Sequence, residues 1–157
     1  VNTGSERFAL AYAHEQAVAE RFTDARCIVC PFGQAQISDI ARDGLGLTSS
    51  PLRWMPDLLV ITPLDEAVQH AYWVDAKAEF RKDTPNYSLE INAWRTHHWL
   101  AHAGIDVIIV WGDFRWSHAA ELHPYDLEQG PFLGNGSGTP FVLVRKWMTH
   151  PWEELLP

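Results

Sequence analysis

The sequence predicts an α/β fold, a central sheet sandwiched between helices. Three observations carry this. Apolar residues recur at helical spacing over residues 5–22 and 88–103. Short runs of β-formers lie between and after them, at residues 25–32, 58–62, 71–77 and 105–111. A helix joins the last two runs, and a crossover of that kind implies a parallel pair.

Ser5 is a suitable N-cap for the first helix. Phe8, Ala11, Tyr12, Glu15, Val18, Ala19 and Phe22 make one stripe along it. Glu15 therefore sits on the core-facing side, where a carboxylate is costly unless paired or bound to a cation. Glu20 falls toward water and is the second candidate. Residues 25–32 read as a strand ended by Pro31 and Gly33. Cys27 and Cys30 point to opposite faces of it and read as buried hydrophobes. With no second cysteine pair, a four-cysteine metal site is excluded. Residues 34–51, polar and glycine-bearing, read as a long connection placed to meet a substrate, or as a plain surface loop or one turn of helix.

The next two runs carry the charged groups of interest. Pro56 and Asp57 head the first, and Asp75, Ala76 and Lys77 end the second. A turn between the runs predicts a hairpin or neighbouring strands, and this pairing brings Asp57 beside Asp75. Side chains alternate along a strand, so Asp75 and Lys77 share a face and Ala76 takes the other. Two carboxylates at contact distance repel, and burial adds to the cost. A divalent cation removes it: Mg²⁺ takes oxygen ligands, one or two of them carboxylates. Lys77 adds a positive point charge. The plain alternative is a surface hairpin with an ordinary Asp–Lys pair, which contributes little.

Pro56-Asp57 followed by Asp75-Ala76-Lys77 resembles the signature of the PD-(D/E)XK nuclease superfamily. The likeness in motif and element order runs over residues 5–111. It implies a mixed central β-sheet flanked by helices, the restriction endonuclease-like fold. It also implies Mg²⁺-dependent hydrolysis of phosphodiester bonds in DNA, with Mn²⁺ as a substitute. Under it, Asp57, Asp75 and Glu15 hold the metal and Lys77 positions the attacking water. The catalytic set is then Glu15, Asp57, Asp75 and Lys77. The small size and the helix glutamate ahead of the motif resemble the Holliday junction resolvases of archaea and phages, which act as dimers on branched DNA.

The 157 residues suit one domain spanning 1–157. A composition 46% hydrophobic and 20% charged is that of a globular chain. No apolar run approaches the roughly 20 residues needed to span a bilayer. The first residues lack a basic-then-apolar secretory pattern, so the expected compartment is the cytoplasm, or the host's cytoplasm for a phage protein. The formal net charge of −8 argues against a strongly basic nucleic-acid binder, because non-specific DNA affinity comes mostly from phosphate neutralisation. Local candidates for phosphate contact are Arg42, Arg53, Arg81 and Lys82. Tyr87, Glu90 and Asn92 join them at the predicted start of the second helix, whose dipole favours phosphate. The acidic balance keeps a second function class in view: a non-catalytic nucleic-acid or protein interaction module that retains the fold.

His98 and His102 are four apart on the second helix and read as solvent-facing or hydrogen-bonded. Gly104 is its C-terminal stop. Residues 105–111 form a nearly continuous apolar strand, buried on both sides. Residues 114–138 read as irregular, and the glycines at 134, 136 and 138 do not form a phosphate-binding motif. A last strand covers 141–147, and the apolar tail at 152–156 docks on the core or on a second subunit.

Overall fold

The computed structural model describes residues 4–63, 70–78, 84–123, 128–130 and 140–156. Arg81 and Lys82 lie outside the described residues.

Helix α1 (Gly4–Asp24) opens the chain and is followed by strand β1 (Ile28–Pro31). A short helix α2 (Asp39–Gly46) and a 3₁₀ turn (Pro51–Trp54) lead into strand β2 (Leu58–Ile61). Strands β3 (Ala71–Lys77) and β4 (Asn86–Glu90) come next, then helix α3 (Ile91–His102) and strand β5 (Val107–Trp111). Strands β6 (Trp116–His118), β7 (Glu128–Gly130) and β8 (Phe141–Arg145) complete the set.

The main sheet has the order β1-β2-β3-β5-β6. β1, β2 and β3 run antiparallel in sequence, and β3 pairs parallel with β5 across α3. β6 returns antiparallel on β5. A smaller antiparallel sheet has the order β4-β8-β7. Alternation along the strands divides the core. Val74, Ala76, Ile108 and Val110 face Val18 and Phe22 of α1. Ile109 and Trp111 face the other way, onto Tyr87, Leu89, Val142 and Val144 of the small sheet and Ala93 and Trp94 of α3. β5 is buried along its whole length, as its apolar run predicts.

Several expectations need correction. α1 begins at Gly4, so Ser5 lies inside the helix rather than capping it. The outer half of its stripe is not covered: Phe8 and Tyr12 are exposed, while His14, Val18 and Phe22 are buried. β1 is an edge strand, so Cys30 is exposed and only Cys27 is buried. The stretch 34–51 is not a plain loop but holds α2, capped by the Ser38 side chain on Ala41 N–H. α3 starts at Ile91 rather than after Ser88, because residues 86–90 pair with β8. The tail docks on the core: Leu155 is buried beside Val18 and Phe22. No helix among the described residues is long and apolar enough to cross a membrane.

Candidate active site

The β2–β3 register places Leu58 opposite Val74, so one step outward sets Asp57 opposite Asp75. The backbone extends the ladder by that step, with Asp57 N–H donating to Val74 O at 2.9 Å. The Asp57 carbonyl accepts from Phe32 N–H, so the residue is held between two strands. Gly33 makes this possible. Its φ of +75° suits glycine, and a Cβ there would stand 2.9 Å from Pro56 O. The Asp57 side chain then turns over β3 and accepts a 2.9 Å hydrogen bond from Ala76 N–H.

Asp75 and Lys77 share a face, as alternation requires, and Ala76 lies on the opposite one with the α1 core. Lys77 Nζ donates to Asp75 Oδ1 at 2.9 Å and stands equally close to Oδ2. Asp75 is 2% exposed. A buried carboxylate is tolerated only when paired, and Lys77 supplies the pair. Burial pulls the Lys77 pKa down, but Asp75 and Asp57 outweigh it and hold the amine above its usual range. Asp57 is pushed up, first by burial and then by the charge of Asp75. Glu15 is raised to about 7, by burial first and then by Asp57 and Asp75. These shifts set Glu15 of α1 within electrostatic reach of both carboxylates, although it does not line the cleft that they floor. Glu20 is exposed.

The cluster floors a cleft of about 350 Å³ lined by Gln34, Arg53, Met55, Asp57, Lys77 and Glu90. Among the described residues, no three His, Cys, Asp or Glu side chains form a ready metal cage. The donors that are present still fit a hard cation. They are carboxylate oxygens, crowded by one another's charge, and the buried Asp75 Oδ2 is met by ionic contact with the Lys77 amine. Mg²⁺ needs only one or two carboxylates and completes its shell with waters or phosphate.

The remaining candidates divide. Arg53 lines the cleft, with its guanidinium 4.9 Å over the Trp54 ring. Arg42 pairs with Asp39 at 2.9 Å on α2 instead. Tyr87 sits on β4, not at a helix start; it is 3% exposed and its hydroxyl donates to Asp113. This placement does not support its expected role in nucleic-acid contact. Glu90 lies at the cleft, close enough to help hold the Lys77 pKa up.

Sequence reasoning missed His97. Its Nε2 donates to Trp54 O at 3.0 Å, and its Nδ1 lies 3.9 Å from Asp75 Oδ2. Burial, the largest influence, holds its pKa down at about 3, so the ring is neutral. A signal existed: Ala93, Trp94, His97 and Leu100 fall on one buried stripe of α3, the argument that singled out Glu15.

The chain is similar in structure to Archaeoglobus fulgidus Hjc, a Holliday junction resolvase from an archaeal hyperthermophile. The TM-score is 0.54 at 10% identity, over 92% of this chain and 98% of that one. The fold is restriction endonuclease-like. This bears out the expected fold class, a mixed central sheet flanked by helices. No protein-family profile matches the sequence. No curated protein is significantly similar to it either.

Proposed function

We propose that this chain is a divalent-metal-dependent DNA endonuclease. The observation that carries this reading is the convergence of Asp57, Asp75 and Lys77 at the floor of one cleft. Asp57 and Asp75, with Glu15, would hold Mg²⁺, and Mn²⁺ would substitute. When bound, such an ion polarises a phosphoryl oxygen and lowers the pKa of a coordinated water.

The protein's own groups supply the rest. Lys77 carries a fixed positive charge beside the carboxylates; it orients the attacking water and offsets charge growing on the phosphoryl oxygens. Glu15, whose carboxyl group burial and the two aspartates push toward the protonated form in the metal-free protein, would be held ionised by the cation. Water oxygen bonds to phosphorus, the bond to the 3′ oxygen breaks, and a 5′ phosphate remains. Arg53, which lines the cleft wall, would meet the strand there, and Arg42, Arg81 and Lys82 are further candidates for phosphate contact. Likeness in fold to a Holliday junction resolvase supports branched DNA as the substrate, and the resemblance read from the sequence adds a homodimer as the working form.

A formal charge of −8 favours a second reading, an interaction module without catalysis. One assay separates the two. Plasmid, linear duplex and a four-way junction are incubated with Mg²⁺, with Mn²⁺ and with EDTA. The nuclease reading expects cutting that EDTA stops and that Lys77→Ala loses while still folding. Full activity in both Asp75→Ala and Lys77→Ala overturns it. Metal-independent binding with no cutting on any substrate establishes the module.

A further inference from the structure

Three histidines meet at the C-terminal end of α3, and none of them lines the cleft. His98 and His102 stand one turn apart on the helix, with ring centroids 4.3 Å apart. His123 comes from the end of the 3₁₀ turn Ala119–Glu121 that follows β6, and its ring lies 6.2 Å from that of His98. The fold sets it there. Trp94 Nε1 donates to Leu122 O at 3.0 Å, which pins the residue before His123 to α3. His98 is half-buried, and its Nε2 is buried without a hydrogen-bond partner among the described residues. His102 and His123 are exposed. Burial first, and then His102 and His123, hold the His98 pKa below its usual range, so at neutral pH its ring keeps a lone pair.

A buried nitrogen without a partner costs stability, and a bound cation removes that cost. Imidazole suits Zn²⁺, whereas Mg²⁺ prefers oxygen. Two histidines four apart on one helix face are a known grip for Zn²⁺. With Zn–N bonds of about 2 Å, rings sharing one tetrahedral ion have centroids about 5 Å apart. The observed 4.3 and 6.2 Å fall on either side of that spacing. The rings do not stand as a ready cage, and closing one takes rotation of the exposed His102 and His123 side chains. The negative end of the α3 dipole also favours a cation here. We propose that His98, His102 and His123 bind one Zn²⁺ ion, which clips α3 to the segment after β6. Three protein nitrogens leave a fourth position to water. Because the ligands come from two separate parts of the chain, binding the ion stabilises the fold. The site is separate from the carboxylates of the cleft and takes a different class of metal.

Untagged protein is freed of metal and titrated with Zn²⁺ by calorimetry, in excess Mg²⁺ so that a hard ion competes for the cleft carboxylates. A thermal melt with and without Zn²⁺ accompanies each titration. Wild type is expected to bind one Zn²⁺ per chain and to melt higher with it. Asp75→Ala and Cys30→Ser are expected to bind it as wild type does. His102→Ala and His123→Ala change exposed side chains, so both should melt like wild type without zinc. Even an outer partner of a metal ligand is worth about tenfold or more, so both variants should bind Zn²⁺ at least about tenfold more weakly. Wild-type affinity in either one overturns the three-histidine site. So does binding that Asp75→Ala or Cys30→Ser abolishes, which puts the ion in the cleft or on the thiols. A wild type that binds no Zn²⁺ overturns it outright. His98→Ala is expected to lose binding as well; if it fails to fold, the two exposed positions decide.

Discussion

Asp57 reaches over the neighbouring strand to accept a 2.9 Å hydrogen bond from the backbone N–H of Ala76. Its own N–H is bonded to Val74 O, so one residue extends the ladder with its backbone and crosses it with its side chain. The same carboxyl group lies against Asp75, and burial and that charge both disfavour its ionised form. An amide accepts the Ala76 bond equally well and carries no charge. Asp57→Asn is therefore expected to fold and to melt above the metal-free wild type at pH 8. Its metal-dependent cleavage is expected to fall on the order of 10²-fold or more. A variant that melts lower, with cleavage intact, would place the strain elsewhere.

Glu15 predicts a pH dependence whose sign follows from its shift. Its pKa rises from 4.5 to about 7 on folding, by burial first and then by Asp57 and Asp75. The folded state thus binds the proton more tightly, and stability falls as pH rises from 4.5 to about 7. His97 has the opposite sign: burial lowers its pKa from 6.5 to about 3, so it costs stability as pH falls below 6.5. Comparing wild type with Glu15→Gln cancels the histidine. In EDTA, the variant's advantage in melting temperature should grow through that carboxylate window and level off above it. A difference that stays flat with pH would remove Glu15 from the cluster.

Gly33 and Gly44 make a matched pair for the backbone argument. A Cβ on Gly33 meets Pro56 O at 2.9 Å and Asp57 Cα at 3.3 Å, and φ is +75°. Both neighbours are backbone, so neither yields cheaply. Gly33→Ala should cost about 1–3 kcal/mol and should weaken Mn²⁺ binding by moving Asp57. Gly44 lies in α2 with open space where a Cβ would go. Gly44→Ala should gain about 0.5–1 kcal/mol. Urea melts of the two variants check both signs.

The convergence of Asp57, Asp75 and Lys77 was legible because it depends on local facts: a turn, a proline and strict alternation. The parallel β3–β5 pair was legible for the same reason, from one crossover helix. What escaped depends on distant partners. Ser88 looks like a helix cap, but Tyr87 and Leu89 are buried on either side of it, and β4 is fixed by β8, more than fifty residues on. α2 was hidden by the glycines at 44 and 46, which weaken a helical reading. Cys30 was misjudged because an edge strand and a central one share the same apolar spelling.

Tyr87 tests that correction directly. Its hydroxyl lies 2.7 and 2.6 Å from the two Asp113 oxygens, and its ring stacks on Trp111 with centroids 4.5 Å apart. Tyr87→Phe removes one hydrogen bond to a carboxylate that remains open to water. The expected cost is about 1–2 kcal/mol of stability, read by urea denaturation, with DNA affinity unchanged. A several-fold loss of DNA affinity at unaltered stability would restore the nucleic-acid role.

Arg53 carries the last prediction, because among the described residues it and Lys77 are the cations that line the cleft of a chain with net charge −8. Its Nη1 donates to Thr48 O at 3.1 Å and its guanidinium packs on Trp54, so the side chain is braced at the cleft wall. A phosphate contact from such a group carries no sequence information. Arg53→Ala should weaken binding about equally on every DNA sequence. It should also reduce the slope of log affinity against log salt by about 1. Binding is measured with Ca²⁺ in place of Mg²⁺ to keep the DNA intact. The wild-type slope itself should be shallow, since each neutralised phosphate adds about 0.9 to it. A steep slope that Arg53→Ala leaves unchanged would move the basic contacts away from this wall, and Arg81 and Lys82 would be the next positions to replace.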